Sequence, residues 1–250
     1  MSLLNDADAV YAGSVPVQKL YRGAVLLWSN GFDPLSVPWH TALWADDITG
    51  LNDGEEVTAW YDSTGSGRVT EPADPSNQPN MGFYVASDAK FNGRASVQFT
   101  GDSGALLPLG ETLGSDRESF LVLAYDVVVS GNKYLIEGGT TTFQRKAFAT
   151  LNTDFAVRSG TEWQSMGTGD TQAHAVSWSN VRQQLDNTVW TTNLGANNQG
   201  RITLGTYINL SPQYNAKARI AFYGLINRNL TTEEREALHQ WAIDYYGTPV

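Results

Sequence analysis

The run SFLVLAYDVVV at residues 119–129 is almost continuously apolar, β-branched and aromatic, and it reads as a strand buried on both faces. Its neighbours read as further strands. Ala95, Val97 and Phe99 alternate with Ser96, Gln98 and Thr100, as a strand with one wet face requires. KYLIEGG, KAFATL, AHAVSWS, NTVWTTN, RITLGTYI and RIAFYGLI continue the series, separated by Gly, Asn, Asp and Ser. Short strands at this spacing predict an all-β sandwich.

One helix breaks the series, in TTEEREALHQWAIDYYG. Thr231 and Glu234 have capping-box spacing, and Leu238, Trp241, Ala242 and Tyr245 form an apolar stripe expected to pack on the sandwich. Gly247 is the expected stop. At the other end, Val15, Val17, Leu20 and Tyr21 lead into Arg22-Gly23, and Ala24 to Trp28 lead out, which predicts a β-hairpin at 1–28. An isolated hairpin is marginal in water, so this one needs a surface to lie on. Asn30-Gly31, Pro34 and Pro38 then interrupt regular structure and mark 29–40 as a linker to a domain at 41–250.

Composition narrows the function. With 41% apolar residues and only 17% charged, the 250-residue chain is globular, and its net charge of -10 disfavours nucleic acid and anionic membranes as partners. The absence of cysteine removes disulfides and thiolate metal sites. MSLLNDADAV lacks the basic and apolar regions of a signal peptide, and no run approaches 18 apolar residues, so synthesis in the cytoplasm without export is expected.

Four stretches, in order, resemble the concanavalin A-like (laminin-G-like) sandwich domains of phage and bacterial surface proteins. They are GLNDGEEVTAWYDSTGSGRVT, FNGRASVQFTGDSGALL, RITLGTYI and RIAFYGLINRNLTTEEREALHQWAIDYYG. The opening stretch, with Ala9, Val10, Tyr11 and Gly13, then Val17, Leu20, Tyr21 and Gly23, then Leu26, Leu27 and Trp28, resembles the minor tail proteins of tailed phages that infect actinobacteria. The resemblance implies a jelly-roll sandwich with one C-terminal helix, carried in several copies on a virion tail or tail tip. Tyr11, Leu20, Tyr21, Leu26 and Trp28 would bury against other tail proteins, and the sandwich would contact host cell-wall glycan. A carbohydrate-binding module of a bacterial surface protein and a glycoside hydrolase are the alternatives.

Hydrolysis on this fold calls for alternate carboxylates on one strand face, and no strand offers them. Glu137, Asp126 and the adjacent Glu55 and Glu56 read as solvated loop or edge charges. No catalytic residue is assigned. His40, His174 and His239 lack metal-ligand spacing, and His239 reads as a boundary residue of the helix. Asp62 with Ser63 and Thr64 suggests an Asx-type turn. Because some domains of this fold hold calcium, Asp62 and Asp102 are also carried as oxygen ligands for that ion. For glycan binding, the polar contexts GTEWQS and VWTTNLGANNQG supply Trp163, Trp190, Asn193, Asn197, Asn198 and Gln199, rings to stack on sugar and amides to bond its hydroxyls. Trp190 alternates toward the core, which leaves Trp163 as the surface ring.

Overall fold

The computed structural model describes residues 33–73, 80–114, 117–141, 144–160, 162–195, 199–207 and 212–249, with the strand backbone at 10–12, 15–17, 19–22 and 25–29. The chain divides into two compact units, Met1–Val37 and Pro38–Val250. In the first, β1 (Val10–Ala12) pairs antiparallel with β2 (Val15–Val17), and β3 (Lys19–Arg22) with β4 (Val25–Ser29). The single hairpin expected from the sequence is therefore two ribbons. Val15 and Val17 pair with Ala12 and Val10, not with the segment after Arg22. Ala12 pairs with Val15 in the first ribbon and Arg22 with Val25 in the second. The side chains of Tyr11, Leu20, Tyr21, Leu26 and Trp28 lie outside the described residues. Within the expected linker, Asp33 caps a short 3-10 turn at Pro34–Ser36 by accepting from the Leu35 amide at 2.8 Å.

The second unit supplies β5 (Thr41–Trp44), β6 (Glu71–Pro72), β7 (Phe83–Asp88), β8 (Arg94–Thr100), β9 (Ala105–Leu113), β10 (Glu118–Tyr125), β11 (Lys133–Thr141) and β12 (Gln144–Leu151). After them come β13 (Asp154–Gly160), β14 (Glu162–Thr168), β15 (Ala173–Trp178), β16 (Gln183–Leu185), β17 (Thr188–Trp190), β18 (Gln199–Leu204), β19 (Lys217–Ile226) and helix α1 (Thr232–Tyr246). One sheet has the order β17-β16-β15-β10-β19-β8-β7, with β5 also pairing the later half of β19. The other runs β14-β13-β12-β11-β18-β9-β6. Their ladders are antiparallel, and the two sheets form a sandwich.

Alternation assigns the faces. Leu121, Leu123 and Tyr125 of β10 join Ile220 and Tyr223 of β19 and Phe148, Phe155, Ile202 and Leu204 of the facing sheet in the inter-sheet core. Phe120 of β10 and Phe222 of β19 point the other way, where Trp241 of α1 packs on both at 6.5 and 5.3 Å between ring centroids. The helix is thus the second cover that makes β10 buried throughout. The DVVV that follows is not strand, and Val127 and Val129 are exposed. Gly224 is required by close approach, because a Cβ there would stand 2.8 Å from the Trp39 ring.

Both ends of α1 follow the sequence. Thr231 accepts from the Glu234 amide at 3.1 Å, Glu234 accepts from the Thr231 amide at 2.9 Å, and Gly247 closes the helix in the left-handed region at φ 71°. The apolar stripe is shifted from the expected one. Leu238, Trp241, Ala242 and Tyr246 are buried, whereas Tyr245 is only partly covered and donates to Asp46 at 2.8 Å. His239, expected at the boundary, is buried beside Ser177 (3.1 Å) and edge-on to Phe120. Burial and the neighbouring Arg235 and Arg182 push its pKa down to about 3. Glu137 and Asp126 also depart from their expected solvated settings. Glu137 sits fully buried within β11, between β12 and β18, and the Asp126 carboxylate is held by Arg219 at 2.7 Å and Gln98 at 2.6 Å.

An ion pair inside the protein fixes the helix to the sheet. Glu118, 0% exposed, accepts from Arg235 Nε at 2.8 Å and Nη2 at 2.7 Å, and also from the Leu230 amide at 2.9 Å; Arg235 is 4% exposed. Removing one partner strands a charge in a dry site. Glu118→Ala is therefore expected to lower unfolding free energy by about 3–5 kcal/mol, while the double variant Glu118→Leu, Arg235→Met recovers most of that loss. Urea unfolding of the single and double variants reads both values, and a single variant within about 1 kcal/mol of the parent contradicts the assignment.

Candidate functional site

Past β5 the chain makes a short turn at Ala45–Asp47, and after Val57 it forms a loop whose two sides meet at the Tyr61–Val69 bridge. Successive residues of this loop face opposite ways. Trp60 is buried, its indole donating to the Trp44 carbonyl at 3.2 Å, whereas Tyr61 is 66% exposed. Asp62 turns inward again. Its Oδ1 accepts from the amides of Ala42 and Thr64, both at 2.9 Å, and its Oδ2 accepts from Thr41 at 2.8 Å and Ser66 at 2.5 Å. Burial opposes ionisation of this carboxyl, but the donors from Ala42, Ser66, Thr64 and Thr41 outweigh it and hold the pKa below the ordinary value. Arg68 lies 3.6 Å from Asp62 and donates to the carbonyls of His40 at 2.8 Å and Leu109 at 3.1 Å.

Between this loop and the turn after β5 lies a cleft of about 310 Å³. Tyr61 supplies an aromatic wall, Ile48 and Leu51 apolar surface, and Asp47, Thr49, Thr58 and Ser63 polar groups. The Ser63 hydroxyl is buried and has no hydrogen-bond partner among the described residues. An exposed ring beside hydroxyls and a carboxylate is the inventory that binds a sugar, the ring against its C–H face and the oxygens to its hydroxyls.

The residues singled out from sequence are distributed differently. Trp163 lies on the edge strand β14, not in a loop, and is partly buried on the outer face of its sheet. Its ring meets Tyr134 at 6.0 Å and carries the Arg158 guanidinium at 5.5 Å, while Tyr134 in turn packs on Tyr207 and Tyr214. Trp190 belongs to a different cluster, packed against the inter-sheet core. Asn193 is exposed and caps the Gly195 amide at 2.9 Å; Asn197 and Asn198 lie outside the described residues, as does the side chain of Gln199. The two tryptophans thus do not form one stacking platform. Tyr61 escaped the sequence reading because its neighbours Trp60 and Asp62 form the recognisable motif; the inward, outward, inward alternation across the three was the available signal.

Calcium does not fit Asp62, whose two oxygens face N–H and O–H donors, and no group of three or more His, Asp or Glu side chains with metal-binding geometry occurs among the described residues. Asp102 belongs to no such group either. His174 is the other titratable centre. Its Nδ1 lies 2.7 Å from Asp186 and its Nε2 2.9 Å from Asp170, so both ring nitrogens are committed to carboxylates. The buried Ser177–His239 contact involves a hydroxyl without solvent access.

The fold has relatives among solved structures. Trypanosoma rangeli sialidase in complex with sialic acid is 11% identical, with a TM-score of 0.54, over 80% of this chain and 32% of that one. The binding domain of botulinum neurotoxin DC in complex with rat synaptotagmin II is 9% identical, TM-score 0.51, over 82% and 52%. An arabinofuranosidase complexed with arabinofuranosyl-alpha-1,2-xylobiose is 13% identical, TM-score 0.57, over 76% and 51%. The chain spans about a third to a half of these proteins. The likeness shows the fold alone: a concanavalin A-like β-sandwich with one C-terminal helix, an architecture these neighbours use in both enzymes and a binding domain. No protein-family model matches the sequence, and no curated protein matches it.

The His174 cluster generates a pH prediction. Burial lowers the pKa of this imidazole, but the bonds to Asp186 and Asp170 outweigh burial and raise it above 6.5. A raised folded value means the stabilisation is complete below the unfolded value and is lost as pH rises through the folded one. Unfolding free energy measured from about pH 5 to pH 8 should fall by more in the parent than in His174→Gln, and parallel profiles contradict the assignment.

Proposed function

We propose that the protein is a structural component of a bacteriophage tail, made in the host cytoplasm, that displays a non-catalytic lectin-like domain toward host cell-wall glycan. The observation that carries the glycan reading is the exposed Tyr61 ring lining a cleft together with hydroxyl side chains. The tail reading is supported by the resemblance of the opening stretch to minor tail proteins and by the division of the chain at Val37, with paired strands on one side and the sandwich on the other. The N-terminal unit would join neighbouring tail proteins, in several copies per particle, and the sandwich would face outward.

Binding of the full chain to host cell-wall polysaccharide, measured by calorimetry, tests the glycan reading. Tyr61→Ala should weaken it by about 1–3 kcal/mol without moving the melting temperature, as for loss of a well-placed aromatic contact. Trp163→Ala should retain the affinity. Absence of binding by the parent, or a Tyr61→Ala variant of unchanged affinity, removes this reading. For the tail reading, residues 38–250 expressed alone should keep a melting temperature close to that of the full chain yet fail to enter assembling particles. Incorporation of the truncated chain contradicts attachment through the N-terminal unit.

A further inference from the structure

A second cleft, of about 220 Å³, is lined by Lys133 at the start of β11, Lys217 at the start of β19, Val127, Val129 and Asn215. We propose that it is a binding site for a small organic anion, a carboxylate or phosphate carried on a sugar-sized molecule. Its chemistry is independent of the Tyr61 cleft.

The chain carries 26 acidic and 16 basic residues, yet two ammonium groups line one cleft and neither has a carboxylate partner in the described structure. The acid at the adjoining strand end is Asp126, whose amide donates to the Lys217 carbonyl at 2.9 Å. Its carboxylate is already bound by Arg219 and Gln98. A ligand anion would supply the countercharge that the protein withholds.

The cleft is also built in advance. Lys133 is steadied by donation to the Gln213 carbonyl at 2.5 Å, and its own carbonyl accepts from the Tyr125 hydroxyl at 3.3 Å. The stem of Lys217 packs along Gly101, where a Cβ would meet its methylenes at 3.2 Å. Asn215 is buried with both ends of its amide used, donating to the Gly101 carbonyl at 2.9 Å and accepting from Thr206 at 2.7 Å. It therefore shapes the floor without competing for the ligand. Val127 and Val129, 40% and 37% exposed, give an apolar flank that displaces water and strengthens attraction to the ammonium groups. A pocket with two cations and an apolar flank fits an anion attached to a carbon skeleton better than a free inorganic ion.

Three probes separate the outcomes on the full chain: methyl glucuronide for carboxylate, glucose 6-phosphate for phosphate, and methyl glucoside as the neutral control. Calorimetry and amide chemical shifts should show at least one anionic probe binding with shifts at Val127, Val129 and Lys133, and the tighter of the two identifies the anion. Affinity should fall about tenfold in Lys133→Gln or Lys217→Gln and should weaken with added salt, while Tyr61→Ala leaves it unchanged. The proposal is overturned if neither anion binds, if methyl glucoside binds equally well at these residues, or if both glutamine variants keep the parent affinity. None of these results bears on polysaccharide binding at Tyr61.

Discussion

The buried carboxylate of Asp62 organises the candidate site. Residues 61–69 contribute one bridge pair and two left-handed glycines, Gly65 and Gly67, and bury little apolar surface of their own. The Asp62 side chain ties them to the sandwich by accepting from Thr41 and Ala42 on β5 and from Thr64 and Ser66 within the loop, and Arg68 adds its bonds to the His40 and Leu109 carbonyls. Hydrogen bonds to a charged acceptor contribute about 1.5–3 kcal/mol each, enough to order a segment this short. Because the folded pKa is depressed, that contribution is present above the ordinary carboxylate value and is lost as pH falls through the folded one. Tyr61 stands where it does because the residues on both sides of it are held inward.

The two outer faces of the sandwich are treated differently. Around β10 and the later half of β19, α1 covers the sheet through the Glu118–Arg235 pair and the rings of Trp44, Phe120, Phe222 and Trp241. On the other sheet Tyr134 gathers Trp163, Tyr207 and Tyr214 with Ala147 and Ala149 into a satellite cluster. Both arrangements consume aromatic surface in packing. Tyr61, in a loop, keeps its ring exposed beside polar groups, consistent with recognition residing in loops mounted on a rigid scaffold. The sandwich by itself assigns no ligand, since one architecture hosts many functions.

Much of the fold was legible because local pattern and burial agree. The alternation at Ala95–Thr100, the apolar run of β10 and the Thr231–Glu234 capping box each reappear as elements. β14 was not legible: EWQSMGT is polar along most of its length because it is an edge strand, and Trp163 and Met166 alone point to packing. His239 and Glu137 were misplaced because charge and polarity argue for exposure, whereas their positions on a docked helix and a central strand impose burial. The ribbons of the first unit were merged because the apolar Val15 and Val17 suit a strand partner on either side in sequence, and the structure pairs them with Ala12 and Val10. Of the site, the Asx-type role of Asp62 was readable from its neighbours, but the outward direction of Tyr61 required the loop geometry.

A structure of the full chain with a neutral cell-wall oligosaccharide bound tests the central claim most directly. A sugar ring is expected to stack on Tyr61, with its hydroxyls directed to Asp47, Thr49 or Thr58. A sugar seated instead against Trp163 and Tyr134, with the Tyr61 cleft empty, would contradict it.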